Sequence, residues 1–267
     1  MADPSLLSLN TITVRDQWSL AECIEGCARH GIPAIGPWRD TVAEMGVETA
    51  ARHIRDAGLQ VSGLCRGGMF QLPDAIEENK RAIEDAALIG APCLVMVCGG
   101  LPPGSKDLEG ARRRVEDGLA EILPHARAAG VTLALEPLHP MNCADRSVLS
   151  TTAQALALTE RLGRGVGLAL GVYHIWWDPV LEESVARATG RIAAFHICDW
   201  LVPTVDLVLD RGMMGDGVID VPGIRAMVER AGYAGLIEVE IMSAKDWWRR
   251  DPDEVLTTMK YRFQNAS

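Results

Sequence analysis

What most constrains this chain is its alternation. A short apolar or β-branched run is followed by a longer amphipathic stretch, and the unit recurs eight times in 267 residues. The strand candidates are "LLSLNTITV" (Leu6 to Val14), "IPAIGPW", "QVSGLC", "CLVMVCGG", "VTLALEPL", "VGLALGVYHIWWDP", "IAAFHICD" and "LIEVEIM". The stretches between them carry helix signals. Ser19 and Glu22 form a capping box, with Leu20, Ile24 and Cys27 on one face and a stop at His30-Gly31. Val47, Ala50, Ala51 and Ile54 form a second stripe that stops near Gly58, and Pro73 to Ile89 a third that stops at Gly90. A fourth helix follows "LPPGSKD" and is expected to kink or break at Pro124. Further helices are expected from Val148 to Leu162, near 181–189, from Pro222 and from Pro252. Strict β/α alternation implies a parallel sheet with right-handed crossovers. Eight units in this length fit a single (β/α)8 barrel, and a doubly wound open sheet is the structural alternative. With no linker or low-complexity segment, residues 1–267 read as one domain.

Bulk chemistry narrows the function. The net charge is −10, which disfavours a nucleic-acid partner, since such proteins carry a basic face. The seven cysteines are odd in number, scattered through apolar runs and lack a CxxC pair, so reduced, buried thiols are expected. "MADPSLLSLN" has no basic segment followed by an apolar one, and no apolar run reaches the ~18 residues of a membrane span. A cytoplasmic protein with no membrane partner is the expectation.

In a barrel of this kind the chemistry sits at the C-terminal ends of the strands. The polar residues found there are Glu136 on the fifth, Gly171 and His174 on the sixth, His196 and Asp199 on the seventh, and Glu238 and Glu240 on the eighth. Strand alternation turns Glu136 inward with Thr132 and Ala134, and puts Glu240 above Glu238 on one face. A carboxylate inside a strand is expensive to bury unless paired or bound to metal. Two such carboxylates and an imidazole at one end suit Mn, Fe, Co or Zn. Alone, each Glu also reads as a solvated strand end and His196 as a hydrogen-bonded core residue. Glu238 reads as structural, bonded to a lysine or arginine within the barrel.

"LALEPL", "VYHIWWD", "FHICDW" and "EVEI" follow in the order, and at the strand ends, of the xylose isomerase-like TIM-barrel superfamily, which most of the chain resembles. That group includes sugar isomerases and epimerases, inosose-processing enzymes and endonuclease IV-type enzymes. The resemblance implies a divalent cation (Mn, Mg, Co or Zn) held by Glu136, position 171, His196 and Glu240. It implies that Glu136 and Glu240 act as the acid–base pair, through an enediolate. It also implies that His174 and Arg211 bind substrate oxygens, Arg211 lying in "RGMMGDG", which matches the pattern R-x-x-x-G-x-G. Trp38, Trp176, Trp177 and Trp200 would wall a small sugar or polyol, with core packing or an interface as the plain alternative. A homo-oligomer is compatible with this reading.

One position departs from the pattern. Where the resemblance calls for aspartate, the chain has Gly171, which cannot ligate. Three protein ligands with water in the fourth place form one workable arrangement. His174 filling the gap and loss of the metal are the others. The expected reaction is epimerisation or isomerisation; dehydration or lyase chemistry uses the same first proton abstraction, and a non-catalytic sugar-binding barrel is the rival that Gly171 favours. The endonuclease branch needs a histidine-rich metal cluster that the six histidines do not supply.

Overall fold

Each apolar run forms a parallel strand, and each longer stretch supplies the helix that covers it. The computed structural model describes residues 2–267. The strands are Leu7–Asn10, Ala34–Gly36, Gln60–Val61 with Leu64–Gly68, Cys93–Val97, Thr132–Leu135, Val166–Gly171, Ile192–Ile197 and Ile237–Val239. Among the described residues these nine segments make eight staves, because the third strand is broken at Ser62 and Gly63. Its first half pairs with the second strand and its second half with the fourth, so the sheet closes through the break. Ser62 N–H donates to Ile35 O and Cys65 N–H to Pro37 O, both at 3.0 Å, and this carries the ladder across the seam. The first strand meets the eighth in parallel, Leu9 opposite Val239. The chain thus forms a single (β/α)8 barrel.

Two apolar layers follow from the strand alternation. Outward-facing Leu9, Ile35, Leu133, Leu135, Leu168 and Leu170 join the large core under the helices. Inside the barrel the residues are small: Cys65, Cys93, Val95, Ala134, Ala169 and Ala194 form a separate cluster. Small lumen side chains leave room for the charged groups above them.

The helix signals act as expected at most ends. Ser19 and Glu22 form the reciprocal capping box, and Gly31 and Gly90 close their helices in the left-handed region, at φ 63° and 79°. Four expectations are corrected. The first strand stops at Asn10, whose side chain accepts the Ile12 N–H and starts a 3-10 turn over Thr11–Val14. The sixth strand stops at Gly171, and His174 rides on a one-turn helix, Val172–Ile175. Helix Leu108–Ala129 runs unbroken through Pro124. Pro124 and Ala120 both face solvent, so the carbonyl deprived of its helix partner can bond to water while Ile122, Leu123 and Ala126 hold the inner face. The helix expected from Val148 starts at Thr152, capped by Thr151, because Val148 N–H is committed to Gly99 O. No helix among the described residues is long and apolar enough to cross a membrane.

Candidate metal centre and substrate mouth

Glu136 and Glu240 each sit one residue past the end of a strand and extend its ladder. Glu136 N–H donates to Met96 O and Glu240 N–H to Ile197 O, each at 3.1 Å. His196 lies in register with Gly171 on one side and Glu238 on the other. This register brings ligand atoms of Glu136, His196 and Glu240 within 4.8 Å of one another, all three residues being buried. His196 Nδ1 is 3.5 Å from Glu136 Oε1. Yet Glu136 Oε1 and both ring nitrogens of His196 are buried without a hydrogen-bond partner. Orphaned buried atoms of this kind are rare and call for an occupant. Two carboxylates and one imidazole turned on a common point are a donor set that fits a divalent cation. Burial alone would lower the His196 pKa, but Glu238, Glu136 and Glu240 outweigh it and raise the ring to about 10, so in the metal-free site it holds a proton.

Glu238 differs from its expected role. Neither lysine nor arginine reaches it; Asn10 Nδ2 donates to its Oε2 at 2.8 Å, and His196 Nε2 lies 3.7 Å away. Asn10 is itself held by Trp38, whose Nε1 donates to Asn10 Oδ1 at 2.8 Å. Gly36 makes the room, since a Cβ there would lie 2.4 Å from Glu238 Oε2. Sequence reasoning missed Asn10 and Gly36. Their one trace is a polar residue and a glycine at the ends of the first two strands.

Above this layer sits a second group. Arg211 Nη1 pairs with Glu240 Oε2 at 2.7 Å, and its guanidinium lies over the Tyr173 ring at 4.4 Å. Burial tends to raise the Glu240 pKa; Arg211 and His196 outweigh it and leave the carboxyl below its usual range. His174 Nδ1 lies 3.2 Å from the His139 N–H and its Nε2 3.4 Å from Arg211 Nη2; a neutral ring accepts only one of these donors, and the shorter contact assigns the ring proton to Nε2, which then faces Arg211 without a bond. Burial, followed by the charges of Arg211 and Arg146, holds His174 well below its ordinary pKa and therefore neutral. Tyr173 stacks on Trp200 at 4.6 Å, and Trp176 packs 5.7 Å from Trp200 with its Nε1 buried and unpaired. Trp38, which holds Asn10, also lines a cavity of about 640 Å³ with Arg15, Cys65 and Arg66, which none of Glu136, His174, His196, Arg211 and Glu240 borders.

Gly171 has φ −95° and ψ 117°, which any residue adopts, and no backbone atom crowds it. The strand's register shift falls between Leu168 and Ala169. A Cβ at 171 would stand 3.0 Å from Glu136 Oε1 and 3.5 Å from His174 Cδ2. Glu136 thus leans toward the space that a side chain at 171 would claim.

A profile of the xylose isomerase-like TIM barrel matches residues 24–259. Protein SMc04130 from Sinorhizobium meliloti 1021 superposes with a TM-score of 0.97 at 54% identity, covering 99% of each chain. The IOLI protein, solved with a zinc atom bound, superposes at 0.82 with 22% identity over 96% of this chain and 95% of its own. The L-ribulose-5-phosphate 3-epimerase UlaE of Escherichia coli is 25% identical over 218 residues, 73% of each protein. The D-allulose 3-epimerase of a Methylomonas species, in complex with D-allulose, gives 0.76 at 19% identity over 100% of this chain and 98% of that one.

Proposed function

This chain belongs to the xylose isomerase-like TIM-barrel family, and on that premise we propose that it is a metal-assisted isomerase or epimerase of a ketose or keto-polyol. The reading rests on one observation above the others: Glu136, His196 and Glu240 turn unpaired or solvent-excluded ligand atoms on one point at the barrel mouth. The names of the epimerase relatives describe inversion at the carbon beside a ketose carbonyl, which accords with it. Glu136, His196 and Glu240 would hold the cation, which supplies Lewis-acid polarisation of the substrate's carbonyl and hydroxyl oxygens.

The chain's own groups do the rest. The two carboxylates divide the acid–base work unequally. Glu136 Oε1 has no partner, whereas Glu240 is tied to Arg211. Glu136 therefore takes the proton from the carbon beside the carbonyl, and Glu240 serves the opposite face. Neutral His174 would donate from Nε2 to a substrate hydroxyl, and Arg211, whose Nη2 stands 3.4 Å from that nitrogen, would donate to a second substrate oxygen. Trp38, held at Asn10, and Trp176, packed on Trp200, would wall the C–H side of the sugar.

Glu136→Gln and Glu240→Gln, each tested on metal-loaded protein with a ketose panel in D2O, are expected to lose at least ~100-fold in deuterium incorporation. Undiminished exchange in either variant would remove that residue from the acid–base pair. An absence of exchange in the parent protein, across ketoses and keto-polyols, would overturn the reading.

A further inference from the structure

We infer that Glu238 is a positioning residue for this centre: locked by Asn10 and Trp38, it keeps the ring proton of His196 on Nε2 and leaves Nδ1 bare toward Glu136 and Glu240. The inference rests on the metal-assisted reading and names the groups that orient its imidazole ligand. It starts from a cost that the three ligands leave unexplained. Glu238 is 3% exposed, and among the described residues its one ion pair is with His196, whose Nε2 lies 3.7 Å from Oε2. A carboxylate buried without lysine or arginine is destabilising unless something else compensates it.

The barrel is shaped to keep that carboxylate. Gly36 does not have a positive φ, so its backbone does not call for glycine; the space does, since a Cβ there would lie 2.4 Å from Glu238 Oε2. The orientation is set as closely as the room. Asn10 Oδ1 accepts two bonds, from Trp38 Nε1 at 2.8 Å and from the Ile12 N–H at 3.1 Å. Both of those groups can only donate, so the oxygen end of the amide is spoken for and the nitrogen end must face Glu238. There Nδ2 donates to Oε2 at 2.8 Å. The sequence Trp38, Asn10, Glu238 thus runs in one direction only, donor to acceptor, and ends at the edge of the His196 ring.

His196 has a carboxylate at each edge, and the two differ. Nδ1 stands 3.5 Å from Glu136 Oε1, which has no hydrogen-bond partner and converges with Glu240. Nε2 stands by Glu238, whose Oε2 is already held. A carboxylate free to ligate faces one nitrogen, and a pinned carboxylate faces the other. Neutral imidazole carries a single proton, and a nitrogen that binds a cation must be bare. With Nδ1 turned to the cation point, the proton belongs on Nε2, where the charge of Glu238 favours it and makes the ring a more basic ligand. At 3.7 Å this hold is electrostatic, between side chains only 1% and 4% exposed. In register, Gly171 flanks His196 on the opposite side, so the neighbouring strands place a carboxylate on one flank of the ring alone.

The test is a 1H–15N spectrum of histidine-labelled, zinc-loaded protein, joined to zinc affinity measured by competition with a chelator. In the parent the His196 ring, identified by its absence from His196→Gln, is expected to carry its one proton on Nε2 and zinc on Nδ1. Glu238→Met should lower zinc affinity on the order of 10–100-fold, and Glu238→Gln, which keeps an oxygen toward the ring, should recover part of it. In Glu238→Gln the Nε2–H resonance should also shift, which a merely structural role would not require. Zinc on Nε2 with the proton on Nδ1 in the parent overturns the positioning role, as does unchanged zinc affinity in Glu238→Met. Should Glu238→Met not fold, the parent spectrum and Glu238→Gln decide: a resonance and an affinity both equal to the parent's overturn the role. A parent that binds no zinc overturns both this role and the metal-assisted reading. Zinc on Nδ1 without deuterium exchange into any ketose or keto-polyol defeats the isomerase reading and leaves the positioning role standing. Zinc on Nε2 with exchange intact does the reverse.

Discussion

Gly171 holds a backbone that any residue could hold, so the reason for a glycine lies in the space beside it. A carboxylate at 171 would be a further acid in a buried cluster that already contains Glu136, Glu238 and Glu240, and Glu136 would have to give by a few tenths of an ångström. The effect of Gly171→Asp should therefore change sign with the metal. In chelator the variant should melt below the parent, because an additional buried carboxylate is uncompensated. With excess Mn²⁺ its gain in melting temperature should exceed the parent's, and its metal affinity should rise on the order of tenfold or more. A variant whose response to Mn²⁺ matches the parent's would show that position 171 is not part of the cation site. The inward direction of Glu136 and Glu240 was readable because alternation within "LALEPL" and "EVEI" fixes it. The partner of Glu238 was not, because Asn10 lies 228 residues away and meets it only through barrel closure.

The loop after the seventh strand shows what a motif does physically. Asp199 is fully buried and accepts four backbone N–H groups, from Trp200, Gly215, Gly217 and Ile219, at 2.8–2.9 Å. Gly215 is at φ 89°, and a Cβ on Gly217 would lie 2.1 Å from Trp200 O. The glycines of "RGMMGDG" thus let the chain wrap one carboxylate, and that wrapping presents Arg211 to Glu240. The sequence offered the motif and its arginine, while Asp199 stood out only as a polar residue at a strand end. Its role depends on a loop conformation that no local propensity encodes. Asp199→Ala should leave several buried donors without a partner and cost about 2–4 kcal/mol of stability. Arg211 would be less firmly placed, and the loss should appear first as a raised KM. Asp199→Asn, which keeps one acceptor oxygen, should be milder in both respects. An Asp199→Ala protein with the parent's melting temperature would contradict the anchoring role.

The barrel as a whole was legible because eight repeats of two periodicities leave few topologies open, whereas the break at Ser62 and Gly63 was not. That break depends on which neighbour each half of the third strand meets, and this is settled only by closure. Closure also concentrates Glu136, Glu238, Glu240, His196 and Arg211 in the upper lumen, so a cation held there would be coupled to the stability of the whole molecule. In the metal-free protein the His196 pKa is about 10, above its ordinary 6.5. A raised pKa means that the folded state holds the proton more tightly than the unfolded chain. That contribution is full below 6.5 and is lost as pH rises through 10. A cation must displace the same proton, so its affinity should weaken as pH falls. Both effects make the stabilisation by metal grow with pH. At a hundredfold excess over the dissociation constant the gain is about 2.7 kcal/mol, or roughly 5–10 °C for a chain of this size. Melting curves of chelated and Mn²⁺-loaded protein should diverge between pH 6 and 9, and His196→Gln should abolish most of the divergence. A gap that stays constant with pH would mean that the cation does not compete with the His196 proton, and would place it elsewhere.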